Sequence, residues 1–313
     1  MKKKNNNRSG VKMNKKVEVI GIDHGFGYTK TVSTIVKSGV KECEMEPAFL
    51  NSVVELKGKF YIVGEKRRSY IPDKTQTLDY YILTLAAIAK EIKLRGLKKE
   101  GIEVCLGVGL PLDFFALQKN SFRSYLMKKN QVFFKFEGEL YLITIKDVHV
   151  YPQGYSAIIK EAGKYNDKTI VVDIGTGTVD ILPIENKIPV VSKCESLELG
   201  VFVLIERIKK AFRQKYGFSI EEDEVQRVLQ KTLSNLPEEY KSFITREIKR
   251  YIEELQEELL QRKIDIRYQK VLFCGGGAFI LKEFGDKYEQ TVSFITDIHA
   301  NAKGYEFLEK CMK

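Results

Sequence analysis

Three kinds of signal are missing from this sequence of 313 residues. No run of 18 or more apolar residues occurs and no apolar segment follows the basic start, so neither a membrane-spanning helix nor a signal peptide is predicted. The five cysteines are scattered without any C-x-x-C pair, which favours reduced thiols over a disulfide framework. The three histidines are equally scattered, so no cluster with metal-ligand spacing stands out. We therefore expect a cytoplasmic protein without membrane contact.

Length and charge indicate the domain organisation. The chain can bury a large core and suggests about two domains, and 43% hydrophobic with 30% charged residues is typical of a soluble globular protein. The formal net charge is +10, but residues 1–16 hold seven Lys or Arg and no acid, which leaves +3 for the rest. We predict a disordered basic tail over 1–16. It is either an electrostatic arm for nucleic acid or an acidic partner, or a solubilising extension in which Met13 is an alternative start.

The stretch IVVDIGTGTVDILPI, residues 170–184, predicts a β-hairpin with chemistry at its tip. A run of Ile and Val is typical of a buried strand, and this run reaches Asp173 before a second apolar strand begins. The turn between the strands consists of Gly175, Thr176, Gly177 and Thr178. Glycine lets backbone N–H groups approach a phosphate, and Mg²⁺ prefers one or two carboxylates plus phosphate oxygens. The alternative is a hairpin that needs glycine only for its turn.

The same design occurs earlier in the chain, in GIDHGFGYTK, residues 21–30. An apolar strand ends at Asp23, Gly25 and Gly27 follow, and Lys30 is placed to reach a phosphate. Neither copy is a Walker A loop, because no Gly-Lys-Ser/Thr follows at the right spacing. Neither is a dinucleotide fingerprint, because the third glycine is missing and the next predicted element is a strand. Two copies, each closing an apolar strand, indicate two phosphate loops in duplicated halves.

A third glycine cluster lies in VLFCGGGAFIL, residues 271–281. An apolar strand leads into Gly275, Gly276 and Gly277, and an apolar helical segment follows. Three glycines at a strand-to-helix turn allow an adenine and ribose to lie flat against the backbone. The alternative is a tight turn without a ligand.

The order of two phosphate loops and a nucleoside loop resembles the superfamily of actin, sugar kinases and heat-shock chaperone ATPases. Within it, five stretches resemble the bacterial ParM (StbA) actin-like plasmid-segregation proteins, and the resemblance covers nearly everything after residue 16. These stretches are TLDYYILTLAAIAKEI (77–92), GVGLPLDFF (107–115), VYPQGYSAII (150–159), LELGVFVLIERI (197–208) and TDIHANAKGYEFL (296–308).

This resemblance implies an α/β fold of the actin-like type. Two duplicated domains, each with a mixed central sheet and flanking helices, are expected around a nucleotide cleft. Domain I is expected at 17–155, completed by a C-terminal helix at 301–313, and domain II at 156–300.

The resemblance also implies roles for single residues. Asp23 and Asp173 are expected to hold Mg²⁺, and Gln153 to orient the attacking water, unless it belongs to an ordinary loop. Because an amide has no useful basicity, we expect slow hydrolysis. Relatives use a pair like Glu206 and Lys209 near the ribose, although a solvated ion pair explains these two equally well. The nucleotide-binding residues implied are Gly25, Phe26, Gly27, Tyr28, Lys30, Gly175, Thr176, Gly177, Thr178, Gly200, Glu206, Lys209, Gly275, Gly276, Gly277 and Ala278.

Helical periodicity is clearest in three segments. Residues 78–94 and 198–216 each present one apolar face, and 221–263 predicts charged helices broken at Leu236-Pro237. A stripe of Ile244, Ile248, Ile252, Leu255 and Leu259 follows the break. Core packing explains this stripe better than a partner-binding surface does.

The expected function is that of an ATP- or GTP-hydrolysing, filament-forming actin-like protein that segregates or positions plasmid DNA. Its expected partners are further copies of the chain and a DNA-binding adaptor at a plasmid centromere. A small-molecule, sugar-type kinase of the same superfamily is the alternative, although no aspartate base stands in a convincing sugar-site motif. A chaperone-like ATPase is a third interpretation, weakened because no substrate domain follows the nucleotide domain. Fold analogy alone does not decide among these functions.

Overall fold

Two mixed β-sheets, each with flanking helices, account for most of the structure. The computed structural model describes residues 17–65, 73–159 and 168–312, so the predicted tail over 1–16 lies outside the described residues. Within those ranges, none of the helices has the length and apolar character needed to cross a bilayer.

The first sheet has nine strands in the order β3-β2-β1-β7-β9-β8-β5-β6-β4. Its strands are β1 (Val17–His24), β2 (Tyr28–Lys30), β3 (Ile35–Lys37), β4 (Val40–Cys43), β5 (Val53–Leu56), β6 (Lys59–Val63), β7 (Glu100–Leu110), β8 (Gln131–Phe136) and β9 (Glu139–Pro152). The helices of this part are α1 (Asp79–Leu94), α2 (Leu112–Leu126) and the short α3 (Tyr155–Ile158). The strand predicted to end at Asp23, the hairpin that follows it and the helix predicted at 78–94 are confirmed as β1, β2 and α1.

Helix α1 lies inside the curve of this sheet. Strands β3 and β4 occupy opposite edges of the sheet, yet only Ser38 and Gly39 separate them in the chain, so the sheet must curl back on itself. Helix α1 contacts all six strands from β1 to β6. Its predicted apolar face is therefore fully enclosed, and Ile82, Leu85 and Ala86 have no exposed surface.

The second sheet has the order β12-β11-β10-β14-β15, with β13 paired to β11. Its strands are β10 (Thr169–Ile174), β11 (Val179–Glu185), β12 (Ile188–Pro189), β13 (Glu195–Leu197), β14 (Val271–Cys274) and β15 (Val292–Phe294). The remaining helices are α4 (Val201–Tyr216), α5 (Glu222–Leu229), α6 (Glu238–Gln261), α7 (Ala278–Phe284) and α8 (Ala300–Cys311).

Five strands of each sheet share one topology. In β3-β2-β1-β7-β9 the neighbouring pairs are antiparallel, antiparallel, parallel and parallel. The order β12-β11-β10-β14-β15 repeats these four relations. The predicted α/β fold with two duplicated halves is therefore confirmed.

Helix α8 returns the chain to the first sheet and packs on it at backbone distance. Gly21 on β1 and Gly107 on β7 are neighbours in register. A Cβ atom at Gly21 would lie 2.0 Å from the carbonyl oxygen of Ala302, and one at Gly107 would lie 2.7 Å from that of Tyr305. These two glycines thus form a groove that admits the backbone of α8, because a side chain at either position would displace the helix.

Several element boundaries differ from the prediction. Helix α4 begins at Val201 and not at 198, because residues 195–197 pair with β11 and Gly200 is extended. Helix α2 was not predicted, since only Phe122 and Leu126 of its 15 residues are buried and its apolar periodicity is weak. The break between α5 and α6 is longer than the predicted Leu236-Pro237. The predicted stripe on α6 is confirmed as core, with Ile244, Ile248, Ile252, Leu255 and Leu259 all buried.

Candidate functional site

A cavity of about 570 Å³ lies between the two sheets. Both predicted phosphate hairpins, the glycine cluster, Gln153 and the first turn of α8 line it. Helix α5 closes one side with Gln226, Leu229 and Gln230. Segments far apart in sequence thus meet around one space.

The first hairpin places a carboxylate and an ammonium side by side. Asp23 and Lys30 are register partners on β1 and β2, and Lys30 Nζ lies 3.4 Å from Asp23 Oδ2. Asp23 is buried, with 4% of its surface exposed. The turn between them is tight, because a Cβ atom at Gly25 would lie 2.7 Å from the Tyr28 carbonyl oxygen.

The second hairpin has the same form and carries two aspartates. Asp173 on β10 and Asp180 on β11 are register partners, and both are buried. Gly175 closes the turn by donating its N–H to the Thr178 carbonyl oxygen at 2.9 Å. Gly200, which precedes α4, packs against this turn so closely that a Cβ atom there would lie 2.4 Å from the backbone of Gly177.

The tips of the two hairpins touch across the cleft. A Cβ atom at Gly27 would lie 2.7 Å from the side chain of Thr176. Next to this contact, the rings of Phe26 and Phe202 meet edge to face with centroids 5.4 Å apart. Phosphates bound between the tips would therefore contact both sheets.

The glycine cluster forms the opposite wall of the cavity. Gly275 has a φ of +83°, and a Cβ atom there would lie 2.1 Å from Asp173 Oδ1, so only glycine fits. Gly277 packs against Ile174. At Gly276, in contrast, a Cβ atom would meet nothing within 4 Å. Because Gly276 lines the cavity, that open space is room for a ligand against the backbone.

Gln153 directly follows β9 and contacts Asp23 of the first hairpin. Its Nε2 donates a hydrogen bond to Asp23 Oδ1 at 3.0 Å. The next residue, Gly154, has a φ of +72° and donates its N–H to Asn301 Oδ1 at 3.0 Å. The amide side chain is thus held at the carboxylate by the turn that leads into α3.

Asn301 on α8 joins both halves of the site. Besides accepting from Gly154, it donates Nδ2–H to Asp173 Oδ2 at 3.0 Å. Burial raises the pKa of Asp173, and the nearby Asp23 carboxylate adds to this effect, while the Asn301 hydrogen bond opposes it. The Asn301 side chain therefore links the Asp173 carboxylate of the second sheet to the turn at Gly154, which follows the last strand of the first sheet.

Asp180, the second buried aspartate of this hairpin, also has a raised pKa. Burial raises its pKa to about 7, and repulsion from Asp173 contributes, while the Ser196 hydroxyl donates to its carboxylate at 2.5 Å and opposes the shift. The cavity therefore holds more acidic groups than it can ionise without added positive charge.

Lys74 and His24 lie beneath the first hairpin. Lys74 Nζ donates to the His24 carbonyl oxygen at 2.6 Å, and His24 Nε2 lies 2.7 Å from Thr84 Oγ1. Burial lowers the pKa of Lys74 to about 8, although Asp23 and Asp180 oppose the shift. Burial also lowers the pKa of His24, and the Lys74 charge adds to that effect. His24 is therefore a neutral structural group.

Two sequence models of known families match the chain. The family described as actin like proteins N terminal domain matches residues 21–155, and the family described as archaeal actin homologue MreB-like, C-terminal, matches residues 171–286. Both matched families are described as actin-like, and together they cover most of the chain. With the two duplicated sheets, the fold is actin-like.

Individual relatives agree with this assignment. An archaeal actin homologue of Thermoplasma volcanium is 26% identical over 243 residues, which is 70% of this chain and 72% of that protein. The crystal structure of Ta0583, an archaeal actin homologue in complex with ADP, has a TM-score of 0.70 and 21% identity, covering 94% of this chain and 100% of that one. A 15-stranded ParM filament structure from Clostridium botulinum has a TM-score of 0.72 and 19% identity, covering 95% and 100%. The structural likenesses show the actin-like fold.

Most of the residues predicted for the nucleotide site line the actin-like cleft. They are Asp23, Gly25, Phe26, Tyr28, Lys30, Gln153, Asp173, Gly175, Thr176, Gly177, Thr178, Gly275, Gly276 and Gly277. Gly27, Gly200 and Ala278 adjoin the cavity in sequence but are not among its lining residues. Glu206 and Lys209 do not line it either. They form an ion pair of 2.8 Å on the outer face of α4, with Glu206 exposed, which matches the alternative of a solvated pair.

Sequence reasoning did not single out several further lining residues, among them the polar residues Lys74, Asp180 and Asn301. Asp180 had a usable signal, because it stands opposite Asp173 in the predicted hairpin. Lys74 and Asn301 reach the cleft from a loop and a distant helix, where no local pattern marks them.

The donor set fits a magnesium–nucleotide complex. Asp23 and Asp173 supply two carboxylates, and Mg²⁺ in nucleotide sites takes one or two carboxylates plus phosphate oxygens. Burial, with a smaller contribution from neighbouring carboxylates, raises the pKa values of Asp173 and Asp180, and a divalent cation beside them would favour their ionised forms. The ion would be held by Asp23 and Asp173.

Proposed function

We propose that this actin-like protein is a filament-forming ATPase or GTPase with slow turnover. The observation that carries the proposal is the convergence of both Asp-x-Gly-x-Gly hairpins, Gln153 and the glycine cluster on one cavity. One structural neighbour, Ta0583, is a complex with ADP, which supports nucleotide binding. Two others are a ParM filament and an Alp12 filament, which supports self-association.

The chain's own residues divide the work of hydrolysis. The N–H groups of the two hairpin turns and the Lys30 ammonium bind the phosphates, and the open wall at Gly276 receives the nucleoside. Asp23 and Asp173 would hold a magnesium ion, which would supply positive charge to offset the charge developing on the phosphates.

Gln153 orients the water in this proposal. Its Nε2–H group is fixed on Asp23, and its amide oxygen can accept a hydrogen bond from a water beside the terminal phosphate. The amide cannot remove the proton from that water at neutral pH, so hydrolysis should be slow. Slow hydrolysis would set the lifetime of a filament, since neighbouring subunits sense the terminal phosphate only through closure of the cleft.

The finer proposal is that the filament segregates or positions plasmid DNA in the cytoplasm through a DNA-binding adaptor at a centromere. It is supported by the resemblance of the five quoted stretches to ParM-type proteins. For the basic tail, residues 1–16, direct contact with DNA is proposed beside the alternative of a solubilising extension. Deleting it should weaken a salt-sensitive interaction with DNA and leave hydrolysis unchanged. Equal retention of both proteins on DNA at low salt would instead leave the tail as a solubilising extension.

The experiment that tests the proposed function uses Gln153→Ala, with the exposed Gln290→Ala as its matched control. Gln153→Ala should bind nucleotide and polymerise like the wild type but hydrolyse far more slowly, so that its filaments persist. Phosphate release, sedimentation and electron microscopy with ATP, GTP and non-hydrolysable analogues provide the readouts. Absence of polymer in all variants, together with turnover that a sugar-type acceptor stimulates, would favour the kinase alternative.

A further inference from the structure

Lys74 is a buried cation in the cleft for which the proposed hydrolysis assigns no task. Lys74 precedes α1 in the sequence, lines the cavity and has only 8% of its surface exposed. Its Nζ donates to the carbonyl oxygen of His24, the residue that directly follows Asp23. The ammonium group therefore lies at the base of the first hairpin, next to the carboxylate that Gln153 contacts.

The contacts of this ammonium group within the described residues leave it with a single hydrogen-bond acceptor. Apart from the His24 carbonyl oxygen, Lys74 Nζ lies 5.5 Å from the centroid of the Tyr80 ring and 5.8 Å from that of Phe122. Within the described ranges, no carboxylate comes within ion-pair distance of it, whereas Lys30 lies 3.4 Å from Asp23. An ammonium group has three donors, and a buried one is costly unless an anion pairs with it. The geometry leaves donors for a ligand that enters the cavity.

The position of Lys74 indicates which part of a nucleotide it meets. The nucleoside wall at Gly276 belongs to the second sheet, whereas Lys74 is held by groups of the first, namely His24 and two aromatic rings. The water that Gln153 orients must stand next to the terminal phosphate, and Gln153 is bonded to Asp23. A terminal phosphate beside Asp23 would therefore lie near Lys74. A nucleoside diphosphate has no such terminal phosphate.

We propose that Lys74 binds the terminal phosphate of a nucleoside triphosphate and so makes the cleft discriminate triphosphate from diphosphate. This inference rests on the proposed nucleotide-binding function. The competing explanation is that Lys74 only balances the charge of the cavity aspartates, in which case its loss would affect both nucleotides alike.

The test replaces Lys74 with methionine, which keeps the length of the side chain and removes its charge. Lys128→Met is the matched control, because Lys128 Nζ also lies over aromatic rings, 3.8 Å from the Tyr81 centroid, but outside the cavity. Calorimetry with Mg²⁺ and either a non-hydrolysable ATP analogue or ADP measures both affinities. Lys74→Met should bind the analogue about 10- to 100-fold more weakly, as for loss of a charge-assisted hydrogen bond, with ADP affinity changed less than about threefold. Lys128→Met should change neither.

Equal losses for the two nucleotides, or no loss, would overturn the role of Lys74 while leaving the proposed function intact. A wild-type protein that binds neither nucleotide would overturn both. A measurement on the wild type covers the case in which Lys74→Met does not fold. Lys74 should be protected from acylation, followed by peptide mass spectrometry, by the ATP analogue but much less by ADP, and equal protection would overturn the proposal.

Discussion

Asp180→Asn should stabilise the ligand-free protein at alkaline pH. Asp180 is a buried carboxyl whose pKa is raised to about 7 by burial, with Asp173 as a second cause. Asparagine has nearly the same shape, keeps an oxygen that accepts from the Ser196 hydroxyl and never ionises. The substitution therefore removes the cost of burying a charge, and the loss of the attraction between Asp180 and Lys74 offsets part of that gain.

The magnitude follows from the difference between folded and unfolded pKa values. Asp180 has an ordinary pKa of 3.8 when unfolded and about 7 when folded. Between these values the folded state holds a proton that the unfolded state has lost, so the free energy of unfolding falls as pH rises and the loss is complete above pH 7. A pKa difference of about 3 corresponds to about 4 kcal/mol. Asp180→Asn should recover up to about 4 kcal/mol at pH 8 and little near pH 4.

Urea unfolding of both proteins at pH 4.5 and pH 8, with chelator and without nucleotide, measures this difference. The exposed Asp286→Asn is the control for removal of one negative charge, and it should give no pH-dependent gain. The reasoning is refuted if Asp180→Asn shows the same change of unfolding free energy at both pH values. Added Mg²⁺ should reduce the gain at pH 8, because a cation also relieves the charge.

Two further predictions concern α8 and the glycine wall. Gly304→Ala should destabilise the protein by about 3 kcal/mol in urea unfolding, because its methyl group would lie 1.8 Å from the Ser156 carbonyl oxygen. Gly276→Ala should unfold like the wild type, because its methyl group meets open space, yet it should bind nucleotide more weakly. Asn301→Ala should cost about 1–3 kcal/mol, since a buried N–H and a buried carboxylate lose their partner, and should weaken Mg²⁺-dependent nucleotide binding in calorimetry. Unchanged stability in Gly304→Ala or unchanged binding in Asn301→Ala would contradict the respective contact.

Local patterns made the hairpins and the main helices predictable from the sequence. The turn in each hairpin follows its aspartate directly, so strand, carboxylate and glycines appear within ten residues. The apolar stripe of α6 was equally clear, because burial against a single core imposes a helical period. The duplication of the halves followed from the repeated motif, and the two sheets confirm it.

The rest of the site depends on contacts between distant segments. Asn301 meets Asp173 across 128 residues of chain, and Lys74 meets His24 across 50. Neither position stands in a periodic pattern, so their burial and partners are fixed by the fold alone. Glu206 and Lys209 show the reverse case. Their helical spacing suggested a ligand contact, but the two residues pair with each other and neither lines the cavity.

The central claim is that nucleotide in this cleft drives assembly of the chain. Sedimentation and electron microscopy of the purified protein with Mg²⁺ and ATP, GTP or ADP test it most directly. We expect filaments that pellet with a triphosphate and disassemble as it is hydrolysed, no such filaments with ADP, and no Mg²⁺-dependent hydrolysis by Asp173→Ala while the exposed Asp286→Ala behaves like the wild type. Failure to assemble at any protein or salt concentration, or undiminished hydrolysis by Asp173→Ala, would contradict the account.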